Sequence, residues 1–449
     1  MAFLLFLLFQ TSTAFLFDAP TTCWAPSSCK CQALSLECDG MGLQSVPMFP
    51  LPDKEYRRLT INLSHNMLTD LGNGSFTEID STNASVLILD FSNNQISDIS
   101  PTAFDGIESM VTELNLQNNN FDVIPSAIGD LTRLQSLKLM GNPITTLKSQ
   151  VIFSLSRNLK YLTLSLDKFS SWPDEMHYFR QLSRLEIDGY QQTRLPLNAF
   201  SNIERTLTYL EISRSQLDRI PSVVCHLDNL HHLAFYSNPK TSIPIFEPCS
   251  DDVTSVYYLS LRNNSLSSFP DIFSSFTKLD YLDVSENNIH TIDMNKIPQA
   301  NSLTHLNLSS NGLNRIPYAL NRLQHLKALY ISNNKISSVE DFDLKNLTFL
   351  SNLNLDGNPI EYISDGAFRS QQALRALDLD NTKVTIIPRA ITSLTSLQQL
   401  QMNGTPIQCT CTMDYLKSLK TNTTNISGVC EGTMEPLSVF IKDFLPFCP

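Results

Sequence analysis

The chain is predicted to be an α/β solenoid, a horseshoe of about fifteen stacked repeats with a parallel sheet on its concave side and disulfide-capped ends. Three observations predict it. A phrase with apolar residues at positions 1, 4, 6 and 11 and asparagine at position 9 recurs fifteen times with variations, its ninth position running from Asn66 to Thr405. Successive ninth positions lie 23 to 28 residues apart, the period of a strand-plus-return coil. Eight of the ten cysteines fall in two clusters flanking that array. One such coil cannot bury its own apolar face, so neighbours must stack and the two end coils need lids.

Clean copies are LQSLKLMGNPI (Leu134 to Ile144), LDYLDVSENNI (Leu279 to Ile289) and LKALYISNNKI (Leu326 to Ile336). Within each copy, positions 1, 4, 6, 9 and 11 are expected to point inward and positions 3, 5, 7 and 8 to solvent, the alternation of a strand. The ninth residue is asparagine in ten copies, where its amide is positioned to satisfy backbone groups of the turn below the strand. Asp167, Ser215, Thr382 and Thr405 are expected to serve partly in its place, and Tyr190 to spoil the ladder locally.

In chain order, residues 1–14 read as a secretory signal: an apolar run from Phe3 to Phe9, then small residues ending at Ala14. Residues 21–57 form an N-terminal cysteine-rich cap, with a short hairpin expected to pair against the first strand of the array. Its Cys23, Cys29, Cys31 and Cys38 allow three pairings, which spacing alone does not choose among. The expectation carried forward is Cys23–Cys31 and Cys29–Cys38. The array occupies 58–408. Its first gap holds a polar insertion from Asp70 to Ser85. Two kinds of return segment alternate, one carrying an apolar residue and proline (Ile124-Pro125, Trp172-Pro173, Ile220-Pro221, Phe269-Pro270, Ile316-Pro317, Ile387-Pro388), the other Ala-Phe (Ala103-Phe104, Ala199-Phe200, Ala367-Phe368). Cys225 and Cys249 fall at near-equivalent places in neighbouring coils, about one strand spacing apart, and read as a disulfide staple. Residues 409–449 form the C-terminal cap. There a short amphipathic helix carrying Met413, Leu416 and Leu419 on one side, with Thr412 as its cap, is expected to be clamped by Cys409–Cys430 and Cys411–Cys448.

The composition excludes several function classes. With 449 residues, a net charge of −12 and a pI near 5.1, the chain lacks the basic cluster that nucleic acid or an anionic membrane surface would require. After the signal no apolar run is long enough to span a bilayer. Ten patterned cysteines imply an oxidising, extracellular location rather than zinc or redox chemistry. Sequons at Asn62, Asn73, Asn83, Asn263, Asn307, Asn346, Asn403, Asn422 and Asn425 are expected glycan positions. Asn62 and Asn307 occupy position 5 of the concave sheet, so a flat partner would bind between them or require them bare.

No catalytic, metal or cofactor site is expected. A solenoid sheet offers an open row of side chains rather than convergent groups in a pocket. The pair His231-His232 lacks neighbours at ligand spacing, and Asp283 and Glu286 read as a solvated face. Position 3 is more informative. Down successive copies it reads Tyr161, Arg184, Tyr209, His232, Tyr258, Tyr281 and His305, predicting one continuous column of the residue types enriched at binding hot spots. The alternative is that these side chains only pair across strands to stabilise the sheet. Confinement of the aromatics to the middle of the array, with mixed charge around them, favours a polypeptide or polar glycan ligand.

The array together with both cysteine clusters resembles the extracellular leucine-rich repeat family, which includes small proteoglycans, Slit-like proteins and Toll-like receptor ectodomains. The cluster C-x-C-x18-C-x17-C at Cys409, Cys411, Cys430 and Cys448 is similar to that family's C-terminal flanking lid. The five residues between Cys23 and Cys29 are wider than the small-proteoglycan pattern. The resemblance implies a secreted, non-enzymatic recognition protein that binds an extracellular protein or glycan on its concave face. Alternatives are the ectodomain of a membrane receptor whose span lies beyond Pro449, a matrix or adhesion component, or an enzyme inhibitor. A second copy of the chain or a co-receptor completes the expected partner classes.

Overall fold

The computed structural model describes residues 29–32, 35–49, 57–76, 79, 84–241, 245–246, 255–418 and 424–448. The expected signal segment, Cys23, Cys249, Asn83, Asn422 and Leu419 lie outside them. The chain divides into two compact units, residues 1–121 with 125–137, and residues 122–124 with 138–449.

In the first unit, Lys30–Gln32 and Ser35–Glu37 form a hairpin. Its second strand pairs in parallel with Leu59–Asn62, followed by Leu87–Asp90 and Val111–Asn115, the last pairing carrying a bulge at Leu87/Ile88. The Cys29–Cys38 disulfide closes the hairpin. Behind the sheet Phe76 stacks on Phe104 at 5.9 Å and meets Phe91 edge-on, filling the space between the strands and the return segments.

The second unit is an uninterrupted parallel sheet. Tyr161–Ser165, Arg184–Asp188, Tyr209–Ser213 and His232–Tyr236 are each five residues long. Shorter strands follow at Tyr258–Ser260, Tyr281–Asp283, His305–Asn307, Ala328–Tyr330, Asn352–Asn354, Ala376–Asp378, Gln399–Gln401 and Asn425–Ile426. All pair in parallel without a register shift. Positions 4 and 6 of these strands, for example Leu210 and Ile212 or Leu282 and Val284, are buried, at most 2% exposed from Leu162 to Met402. The disulfides Cys409–Cys430 and Cys411–Cys448 close the far end. Cys31 and Cys225 are also disulfide-bonded, and their expected partners lie outside the described residues.

Five of the six proline-marked return segments share one local structure, the exception being Phe269-Pro270, which leads into a turn. Pro125, Pro173, Pro221, Pro317 and Pro388 each immediately precede a five-residue 3-10 helix. Proline's fixed φ suits that entry, and its carbonyl accepts the first i+3 bond, as from Ile128 N and Leu320 N. In the other kind of return segment, Phe104, Phe200 and Phe368 are buried to 2% exposure or less.

The ladder of ninth-position asparagines accounts for the buried backbone of the turns. Asn94 Nδ2 donates to Leu63 O in the preceding coil and to Phe91 O in its own, while its Oδ1 accepts Leu68 N. Asn311, Asn334 and Asn358 repeat this pattern. The hydroxyls of Thr382 and Thr405 substitute for one donor only, both bonding Leu379 O. The residue just before the ladder position adopts a left-handed backbone in most coils (Asn93, Arg214, Glu286 and Asn333 at φ of 57°, 47°, 54° and 52°), which places the ninth side chain inward.

Three expectations are corrected here. Asp167 does not serve in the ladder: Leu166 before it turns inward at 0% exposure, and the Asp167 carboxylate pairs with Lys168 at 3.2 Å instead. Tyr190 is not merely a gap in the ladder. It is 2% exposed, packs edge-on against Trp172, which also meets Phe200, and hydrogen-bonds the Trp172 backbone, so aromatic volume and a phenol bond stand in for the asparagine in this coil. The C-terminal helix is a kinked 3-10 segment, Cys411–Ser418, that buries Met413 and Leu416. Thr412 lies within it, bonded to Thr410 Oγ1, rather than capping it.

Candidate functional site

Parallel, in-register pairing carries position 3 of each coil next to position 3 of the following one. Tyr161 is thereby set beside Arg184, Arg184 beside Tyr209, then His232, Tyr258, Tyr281 and His305. The pairing steps of about 4.8 Å fall within the separations at which aromatic rings stack, so the side chains lie face to face. The Arg184 guanidinium lies 4.9 Å from the Tyr161 ring centroid and 3.7 Å from that of Tyr209. Tyr209 and His232 stack at 4.1 Å, His232 and Tyr258 at 3.9 Å, and Tyr258 and Tyr281 at 4.5 Å, all within 12° of parallel. His305 closes the column 5.8 Å from Tyr281. All seven expected residues therefore form one stack, each half-buried. Lys138, which the position-3 reading does not reach, caps the Tyr161 end at 5.6 Å.

Carboxylates at positions 5, 7 and 8 surround the stack. Glu186, 8% exposed, accepts the Tyr161 hydroxyl at 2.9 Å and pairs with Arg184 at 2.6 Å. Glu211 accepts two hydroxyls, Tyr209 at 2.8 Å and Tyr236 at 2.6 Å. Arg214 reaches Asp188 at 2.8 Å and Arg262 reaches Glu286 at 2.5 Å. Asp283, expected to be solvated, is instead 8% exposed and accepts Ser285 N at 2.9 Å, shielded by the taller side chains around it. The hydroxyls of Tyr258 and Tyr281 have no hydrogen-bond partner among the described residues, so two donors of the stack are free.

Burial and these acids raise the tyrosine pKa values, those of Tyr161, Tyr236 and Tyr281 to about 12, so the hydroxyls remain proton donors across physiological pH. Burial, with a smaller contribution from Arg184, lowers His232 to about 4 and keeps its ring neutral at pH 7. His231 points elsewhere and stacks on Tyr257 at 5.5 Å. No group of three or more His, Cys, Asp or Glu side chains among the described residues is arranged to hold a metal ion. No helix among them is long and apolar enough to cross a membrane.

The expected glycan positions fall into two environments. Asn73, Asn263, Asn346, Asn403 and Asn425 are exposed, although Asn403 Nδ2 is held by Asp380. Asn62 and Asn307 are half-buried on sheet strands. The Asn62 amide donates to Glu37 at 2.7 Å, and Asn307 accepts Ser309 N at 3.0 Å.

Comparison with known proteins agrees with the repeat fold. A family model described as a leucine-rich repeat region matches residues 89–315, about half of the chain. Further leucine-rich repeat models match 301–344 and 348–407. A curated relative, Ras guanine nucleotide exchange factor V of Dictyostelium discoideum, is 42% identical over 95 residues, which cover 17% of this chain and 5% of that protein. The chain thus spans only about a twentieth of that relative's length. Among solved structures, a leucine-rich repeat protein of Leptospira interrogans matches with a TM-score of 0.54 at 22% identity, covering 87% of this chain and 94% of its own. The Toll–Spatzle complex of Drosophila matches at 0.60 and 17% identity, over 85% of this chain and 59% of that one. The TLR13–ssRNA13 complex matches at 0.51 and 19%, over 85% and 68%. At these identities the likeness is one of fold.

Proposed function

This chain belongs to the leucine-rich repeat family, and from that premise we propose that it is a non-enzymatic recognition protein whose ligand, a polypeptide or polar glycan, binds along the stacked column from Tyr161 to His305. The observation that carries the reading is the column itself. A repeat sheet needs nothing particular at position 3, yet seven consecutive coils place there a rigid ladder with two unsatisfied hydroxyls. Rigid side chains lose little entropy on binding, which is why such residues make effective anchors. Two proteins of similar fold were solved in complex with another molecule, Toll with Spatzle and TLR13 with ssRNA13, which supports reading the scaffold as a recognition surface. An oxidising location outside the cell is supported by the cysteines, none of which is free among the described residues. The exposed sequons are proposed glycan sites, the domain limits proposed are those read from the sequence, and a second copy or co-receptor is a proposed further partner.

Substituting Tyr258→Phe and Tyr281→Phe together tests the role of the column. The change keeps both rings and their stacking and removes only the hydroxyls. Capture of extracellular proteins or array glycans on the immobilised chain should fall about fivefold or more, at about 0.5–1.5 kcal/mol per lost hydrogen bond, while the melting temperature stays unchanged. Undiminished capture by a stable Tyr209→Ala, Tyr258→Ala, Tyr281→Ala variant would instead leave the column with a purely structural role.

A further inference from the structure

The stack meets a ligand with its edges. Rings lying 3.9–4.5 Å apart and nearly parallel cover one another's faces, so a sugar ring has no flat aromatic surface on which to lie. Beside the stack, position 5 of four successive strands holds Glu211, Ala234, Ser260 and Asp283 in register. The two small residues lower the surface between taller neighbours: His232 and Tyr258 on one side, Tyr236 and Arg262 on the other. Ala234 is 5% and Ser260 7% exposed although both face outward, which marks a trough floor. The Ser260 hydroxyl points into it without a hydrogen-bond partner among the described residues. The carboxylates at the two ends are distinctive. Glu186, Asp188 and Glu286 each hold an arginine, whereas Glu211 accepts only neutral tyrosine hydroxyls and Asp283 only a backbone N–H. No basic side chain among the described residues lies within salt-bridge distance of either, although Arg214 and Arg262 act on Glu211 and Asp283 at longer range.

Resting on the proposed recognition role, we infer that the trough accepts an extended polypeptide segment of a partner crossing the strands with a lysine or arginine at each end, one cation on Glu211 and the other on Asp283. Three strand steps separate the two carboxylates by about 14 Å, and an extended chain rises about 3.4 Å per residue. The two basic residues therefore stand four positions apart, on the same side of the segment, with small residues between them over Ala234 and Ser260. Backbone carbonyls of that segment accept from the Ser260, Tyr258 and Tyr281 hydroxyls. Charge complementarity favours this occupant: each end offers an anion with no salt-bridged cation, inside a chain whose net charge is −12.

The test uses the full chain and synthetic nine-residue peptides displayed on a biosensor. They carry two lysines four apart, two lysines adjacent, or two acetyl-lysines four apart in the same small-residue context, alongside a panel of neutral and acidic oligosaccharides. The inference expects the four-apart peptide to bind at least about tenfold more tightly than the other two, with affinity falling as salt rises. Glu211→Gln, Asp283→Asn and Ala234→Leu should each weaken it about tenfold or more, whereas Glu361→Gln, an acid elsewhere on the surface, should not. Glu211→Gln is nearly isosteric and keeps an acceptor for the tyrosines, so it remains informative if Ala234→Leu misfolds. Equal binding of the acetylated or adjacent-lysine peptides overturns the inference. If only an oligosaccharide binds, and Tyr258→Phe with Tyr281→Phe abolishes that binding, the inference fails while the recognition role stands. If neither peptides nor oligosaccharides bind and the tyrosine variants change no capture, both fail.

Discussion

Replacing Asn334 by alanine isolates the device that holds the coils together. The Asn334 side chain is 6% exposed; its Nδ2 faces Leu308 O, Ile331 O and Ser332 O at 3.0–3.1 Å, and its Oδ1 accepts Leu313 N at 3.0 Å. Two N–H bonds serve three carbonyls, so about three hydrogen bonds are lost. At a net value of about 1 kcal/mol each, and more where a buried group is left unsatisfied, the change should cost about 3–5 kcal/mol. Because both the preceding and the home coil lose a partner, the loss should be localised. Urea unfolding measures the magnitude, and amide exchange across residues 308–336 reads the location, with Lys335→Ala as an exposed control. Asn334→Asp should be no better at pH 7, since it turns the donors toward carbonyls into a carboxylate. A loss below about 1 kcal/mol with unchanged exchange, water taking over the bonds, would refute the view that the ladder carries the turns.

Two further outcomes follow from the second unit. Restoring the repeat's own residue with Tyr190→Asn should destabilise by about 3–5 kcal/mol, because the ring packed on Trp172 leaves a cavity and Trp172 loses a neighbour; thermal unfolding is the check, and a neutral or stabilising effect would refute the aromatic substitution. His232 should make stability depend on pH. Its folded pKa of about 4 lies below the unfolded value near 6.5, so its contribution is complete above 6.5 and is lost as pH falls toward 4. The full gap caps the effect at about 3 kcal/mol, and solvent screening of a half-buried ring cuts this to about 1–2 kcal/mol. Comparing wild type with His232→Gln in urea at pH 7 and pH 4.5 should show the difference shrinking, and a constant difference would refute it.

The repeat by itself determined the solenoid, the inward leucines, the asparagine ladder and the terminal disulfide lids, since each is the same local solution written many times. It also determined that Tyr161, Arg184, Tyr209, His232, Tyr258, Tyr281 and His305 would be neighbours, because parallel in-register strands bring equal positions together at one strand spacing. Tertiary structure decided what each coil did with its exceptions. Leu166 turned inward and displaced Asp167 because the backbone there does not take the left-handed turn of its neighbours, and Tyr190 filled its coil because Trp172 and Phe200 from adjoining segments made room for a ring. The charge pattern beside the column was likewise settled by reach. Arg184 folds onto Glu186 two residues along its own strand, and Arg214 and Arg262 stretch to neighbouring coils. Glu211 and Asp283 were left without a direct ion pair, because Arg214 and Arg262 reach past them to Asp188 and Glu286. Which acid keeps a partner depends on side-chain length and direction in three dimensions, and no spacing rule along the chain encodes it.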